Sequence, residues 1–181
     1  MQNRMNPETV SVKDTLFMTE ALGLAQTALV DGEFPVGCVI ADGDTVVARG
    51  YRTGTVAGSG NEIDHAEINT LRHLSGSIPD INRSRLTIYC TMEPCLMCFS
   101  AILLSGIGRI VYAYEDVMGG GTGCDRSGLP PLYRNAQLTV ISGVLRTNSL
   151  LLFRQFFTDS GNPYWADSLL SRYTLNQPVS P

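Results

Sequence analysis

His65-Ala66-Glu67 and Pro94-Cys95-Leu96-Met97-Cys98 decide how this chain reads. Residues three apart share one face of a helix, so Cys95 and Cys98 can aim two sulfurs at one ion. Pro94 suits a first helical position, where a missing N–H costs little. The spacing therefore predicts a helix running from Pro94 to about Ser105, with Cys95 in its first turn. There, free N–H groups and the helix dipole favour thiolate over thiol. Thiolate and imidazole are zinc ligands, and His65, Cys95 and Cys98 are the expected set, one Zn2+ per chain. Three protein ligands leave a fourth position for water, the pattern of a catalytic site, where bound water is acidified towards pKa ~7. Glu67 stands two residues past His65 and lacks the spacing of a second ligand on the same helix. A carboxylate beside the ion but unbound can take a proton from water and pass it to a leaving amine.

A C-x-x-C pair also occurs as a redox dithiol or as half of a structural zinc site. The structural site needs a fourth ligand from Cys90, His73, Cys38 or Cys124, none of which has a strong spacing claim. His73 is expected at the surface or packed, and Cys124 as a free thiol.

The H-x-E and P-C-x-x-C segments resemble the signature of the zinc cytidine/deoxycytidylate deaminase superfamily. Pro35-Val36-Gly37, His65-Ala66-Glu67-Ile68, Thr91-Met92-Glu93-Pro94-Cys95 and Tyr112-Ala113-Tyr114-Glu115-Asp116 extend the likeness over about residues 12–158. The chain is similar above all to the branch containing tRNA adenosine deaminases and small cytosine and guanine deaminases. The resemblance implies an α/β fold, a three-layer α/β/α sandwich with a five-stranded mixed sheet, assembled as a homodimer. It implies hydrolysis of an exocyclic amine on a nucleobase, with Glu67 shuttling protons. It brings Val36 and Gly37 of the first hairpin to the substrate pocket, and Asp116 close to the substrate. Gly37 reads equally as a glycine packed under a helix. The branch usually carries an Asn soon after the second strand, binding base or ribose. Here Gly50-Tyr51-Arg52-Thr53 takes that place. Arg52 is expected to be a solvated loop arginine, the alternative being a contact to a phosphate or carbonyl. Met92 and Glu93 end the third strand, at the edge where ligands gather in open α/β sheets. Glu93 is expected as a structural partner near the pocket rather than the proton carrier. Met118-Gly119-Gly120-Gly121-Thr122-Gly123 lacks the Gly-Lys-Ser/Thr ending of a phosphate loop, so that role is rejected in favour of a pocket-edge loop.

The chain has 181 residues, 44% apolar and 17% charged, which suits a single deaminase domain with a core at about 12–158 and a C-terminal extension at 159–181. No apolar run reaches the ~18 residues of a membrane span. The first thirty residues show no basic start followed by an apolar block, so no secretory signal is expected. Five cysteines, two in a metal-type pair, suggest a reducing cytoplasm. The net charge is −4, the pI is about 5.1, and Lys13 is the lone lysine. Polynucleotide binders show a basic face. The expected substrate is therefore a free base or nucleoside, with tRNA as the alternative. A non-enzymatic zinc-stabilised binding module is the third reading, and the presence of Glu67 argues against it.

Ser11-Val12-Lys13-Asp14 resembles a capping box opening a helix that ends near Asp31-Gly32. Short apolar runs predict strands at about 36–41, 45–49, 86–90, 109–113 and 138–142. Further helices are expected from His65 and over Leu145–Phe157, with a short final one at Tyr164–Leu170. From that last segment, Trp165 or Tyr164 is expected to cover the pocket or a dimer contact.

Overall fold

A capped helix begins the structured chain. In this computed structural model, which describes residues 10–56, 60–77, 81–159 and 162–178, α1 spans Val12–Val30. Ser11 Oγ accepts from Asp14 N (3.1 Å) and the Asp14 carboxylate accepts from Ser11 N (2.8 Å), closing the expected capping box. The same carboxylate accepts two bonds from Arg109 (2.7 and 3.0 Å) and one from Tyr89 OH (3.1 Å). One buried cap thus fastens the first helix to two strands.

Those strands lie in a five-stranded sheet of order β2-β1-β3-β4-β5. They are β1 (Gly37–Asp42), β2 (Thr45–Tyr51), β3 (Leu86–Met92), β4 (Arg109–Tyr114) and β5 (Thr139–Ile141). β1 pairs antiparallel with β2 and β3, whereas β3–β4 and β4–β5 are parallel. Side chains alternate between the two faces of a strand. Val39, Ala41, Tyr89, Val111 and Ala113 pack with Phe17, Met18 and Ala21 of α1. Cys38, Ile40, Ile88, Cys90 and Ile110 face the other way, onto α2 (Ala66–Ser77) and α3 (Leu96–Ser105). Helices on both faces make the three-layer sandwich. Gly37 meets α1 so closely that a Cβ there would lie 2.1 Å from Ala21 O and 2.5 Å from Ala25 N. It is a packing glycine.

The ends of several elements differ from the sequence pattern. α3 starts at Leu96, and Cys95 is its N-cap in an extended conformation (φ −65°, ψ 171°) rather than a first-turn residue after a helical Pro94. The reason is a tether: Gly121 N donates to Pro94 O (2.9 Å), and Cys95 forms an isolated bridge with Gly120. The glycine loop thereby holds the strand-to-helix turn open. After α4 (Pro131–Arg134) and α5 (Arg146–Thr158), the final helix α6 spans Leu169–Asn176, not Tyr164–Leu170. Trp165 (φ 53°) and Asp167 (φ 59°) are left-handed, which a helix does not tolerate, and Ser168 Oγ caps the true start by accepting from Ser171 N (3.0 Å). α6 is anchored where Tyr114 OH meets Thr174 Oγ1 (3.0 Å) and Tyr173 OH donates to Glu115 (2.7 Å). No described helix is long and apolar enough to cross a membrane.

Candidate active site

The C-terminal end of β3 and the starts of α2 and α3 converge on one point. His65 immediately precedes α2, Cys95 caps α3, and Cys98 lies one turn on. His65 Nδ1 is 3.6 Å from Cys95 Sγ and 3.4 Å from Cys98 Sγ. Among the described residues these three form the group able to hold a metal, with donor atoms all within 4.8 Å of one another. Cys95 is the ready thiolate of the three. The hydrogen bond from Cys98 and that with His65 outweigh burial and hold the Cys95 thiol at about 4. The same contact with Cys95, burial and the nearby Glu67 push the Cys98 thiol up. Burial opposes protonation of His65, but the Cys95 hydrogen bond and the Glu67 charge prevail and raise it. Two sulfurs and an imidazole crowded together in this way are a donor set for zinc, which binds deprotonated thiols.

The other cysteines and His73 stand apart. Cys38 and Cys90 face each other across β1 and β3, sulfurs 3.5 Å apart and buried in the core. His73 is exposed, its Nδ1 2.7 Å from Arg49 O, and Cys124 is exposed. None of these joins the cluster, so among the described residues three donors are present, the number found in catalytic zinc sites.

Glu67 lies in the first turn of α2 and is 3% exposed. Burial raises its carboxyl to about 7, against the opposing charge of His65. A group in that range can both take and give a proton at neutral pH.

A cavity of about 70 Å³ opens onto the cluster. Val36, Arg52, Met92, Glu93, Asp116 and Trp165 line it together with His65, Glu67 and Cys95. Gly37 does not line it, being turned to α1. Phe34 and Tyr164 also line it. Phe34 was not singled out from the sequence. Its ring sits 5.1–6.1 Å from those of Phe153, Phe156, Phe157, Tyr164 and Trp165, and Tyr164 and Trp165 stack at 5.4 Å and 8°. The result is an aromatic wall along the cavity, a surface suited to a flat ring.

Arg52 overturns expectation most. It is not solvated but 2% exposed. Its Nη2 donates to Asn61 O (2.9 Å), Glu62 Oε2 (3.0 Å) and Tyr164 OH (3.5 Å). Tyr164 OH also donates to Glu62 (3.0 Å), so one carboxylate ties the arginine to the aromatic wall. Glu62 sits in an irregular loop, and nothing in its sequence setting marked it.

Glu93 and Asp116 organise the opposite rim. The Glu93 carboxylate accepts from Asp116 N (3.2 Å), Thr122 N (3.2 Å) and Thr122 Oγ1 (2.5 Å), tying β3 to the glycine loop. Asp116 Oδ1 accepts from Met118 N (3.0 Å) and Gly119 N (2.9 Å). Burial, with the Glu93 and Cys95 charges, raises the Asp116 carboxyl.

The zinc-binding region of cytidine and deoxycytidylate deaminases matches residues 11–114, more than half of the chain. A tRNA-specific adenosine deaminase of Bacillus subtilis is 30% identical over 147 residues, 81% of this chain and 90% of that one. Its counterpart in Haemophilus influenzae is 34% identical over 145 residues, 80% and 83% of the two chains. A solved structure from work on A-to-I editing by tRNA:A34 deaminases superposes with a TM-score of 0.64 at 30% identity, covering 76% of this chain and 99% of that one. A guanine deaminase from Nitrosomonas europaea shares the fold, with a TM-score of 0.64 at 21% identity over 83% and 87% of the chains. The match covers the histidine, the glutamate and both cysteines of the cluster, and the chain belongs to the cytidine and deoxycytidylate deaminase family as a zinc-dependent hydrolytic deaminase.

Proposed function

We propose that the substrate is a nucleobase bearing an exocyclic amine, taken as the free base or nucleoside. One observation carries this reading: Tyr164 and Trp165 of the same chain line the pocket, with Tyr164 latched to Arg52 and Glu62, and the pair is read as its roof. A small planar molecule can be enclosed under such a roof. A base still joined to a polynucleotide needs a lasting opening for the strand. The net charge of −4 and the lone lysine agree, because polynucleotide affinity rests on phosphate contacts.

In the reaction, water adds its oxygen to the amine-bearing ring carbon, the C–N bond breaks, and ammonia leaves behind a carbonyl. His65, Cys95 and Cys98 would hold the zinc, which when bound would supply the acidity that makes the water a nucleophile near neutral pH. Glu67 takes the water's proton and delivers protons to the ring nitrogen and the departing amine. Phe34, Tyr164 and Trp165 hold the ring flat and exclude bulk water. Glu93 and Asp116 shape the rim through the backbone bonds they accept. Val36 and Met92 supply apolar walls. The reading includes a cytoplasmic homodimer, and light scattering is expected to give twice the 19.6 kDa chain mass.

The second reading is a tRNA-specific adenosine deaminase acting at the wobble position, favoured by the names and 30–34% identities of the curated relatives. Ammonia release separates the two. The panel is cytosine, guanine, adenine, their nucleosides and an anticodon stem-loop with adenosine at the wobble position. Turnover of a small molecule with the stem-loop inert is expected. Activity on the stem-loop alone would replace the first reading with the second.

A further inference from the structure

Arginine carries five N–H donors and no acceptor. In Arg52 the two on Nη2 are occupied by Asn61, Glu62 and Tyr164. Nε and Nη1 are buried, and they have no hydrogen-bond partner among the described residues. A buried donor left unmet is costly, and native structures satisfy nearly all of them. Here the unmet donors belong to a side chain that is 2% exposed and lines the same cavity as His65, Glu67 and Cys95. A ligand entering that cavity can supply the missing partner.

The chemistry of the ligand follows from donors without acceptors. Guanine presents O6 and N7 side by side, two acceptors that arginine reads well, whereas adenine sets a donor beside N7. Cytosine likewise has O2 next to N3. A carbonyl oxygen, with two lone pairs, satisfies more of the three unmet N–H groups than one ring nitrogen can. A phosphate fits less well. The Arg52 charge is already met by Glu62, and Glu67, Glu93 and Asp116 surround the same cavity.

We propose that Arg52 is the specificity-determining residue of this pocket, donating from Nε and Nη1 to the carbonyl edge of an oxo-base, so that cytosine- or guanine-type bases are selected over adenine. The assignment rests on the free-base reading above. Glu62 and Tyr164 are positioning residues that fix the guanidinium by way of Nη2.

The test uses binding, so that it does not depend on turnover. Calorimetry on the full-length, zinc-loaded Glu67→Ala protein compares cytosine, guanine, adenine and cytidine 5′-monophosphate, with and without Arg52→Gln. The expected result is a loss of about 10- to 100-fold for cytosine, guanine or both in Arg52→Gln, the range of a hydrogen bond from a charged group. Adenine affinity should change by no more than about threefold, within the spread of a neutral contact. Zinc content should be unchanged. Equal losses for all bases, or no loss, would overturn the assignment. So would a gain from the phosphate that vanishes with Arg52→Gln, because the arginine would then be reading the anion. If Arg52→Gln does not fold, Arg52→Lys keeps the cation but loses the planar donors, and must still lose the preference for the oxo-base. Failure of the original protein to bind any base would instead sink the free-base reading itself.

Discussion

Asp14→Asn is the sharpest structural perturbation this fold offers. Asp14 is 1% exposed and accepts from Ser11, Arg109 and Tyr89. Burial alone would raise its carboxyl, yet the Arg109 and Ser11 hydrogen bonds more than offset it and lower the pKa from 3.8 to about 2. At about 1.36 kcal/mol per unit, that difference is worth about 2.5 kcal/mol to the folded state at neutral pH. Asp14→Asn removes the charge that this difference measures, so the expected loss is about 2–3 kcal/mol. The folded pKa is depressed, so this stability is present above the unfolded value of 3.8 and fades as pH falls towards 2. Linkage puts about 1 kcal/mol of it gone by pH 3. Urea unfolding of both proteins at equal concentration, between pH 7 and the lowest pH at which both stay folded, reads the gap directly. Zinc release in acid affects both equally and cancels. Asp44→Asn is the control, because the Lys13–Asp44 pair is exposed and worth ~0–1 kcal/mol. A gap under about 0.5 kcal/mol at pH 7, or one that does not shrink in acid, would refute the reasoning.

Three further outcomes are expected. Gly37→Ala would place its Cβ against the α1 backbone at Ala21 and Ala25. It should cost about 1–3 kcal/mol, seen as a lowered Tm, and an unchanged Tm would mean that α1 can shift aside. Cys98→Ser should abolish tight zinc binding by elemental analysis, whereas Cys124→Ser and His73→Ala should retain about one zinc per chain. Tyr164→Ala with Trp165→Ala, which removes the roof and leaves α6 in place, should raise KM more than it lowers kcat. Kinetics identical to the unsubstituted chain would remove the roof from the account.

The metal cluster was legible in the sequence because helical periodicity makes a spacing of three a statement about space. The strand runs were legible for the same kind of reason, and Ser11 and Asp14 announced their own cap. What escaped was set by distant partners. Arg52 reads as an ordinary loop arginine until Glu62 and Tyr164, 10 and 112 positions away, close over it. Cys95 has the local marks of a first-turn residue, but Gly120 and Gly121, two dozen positions on, hold it outside the helix. Gly37 was ambiguous because a strand glycine reports close approach without saying to what. The final helix was misplaced by several residues, since only the left-handed backbone at Trp165 and Asp167 reveals that the aromatic pair belongs to a turn.

Ammonia release by the zinc-loaded protein, with Glu67→Ala as control, tests the central claim most directly. Turnover of a base or nucleoside is expected, falling by at least about 10²-fold in Glu67→Ala while its zinc content stays the same. Full activity in a Glu67→Ala protein that keeps its zinc would contradict the account, because the proton carrier would then lie elsewhere.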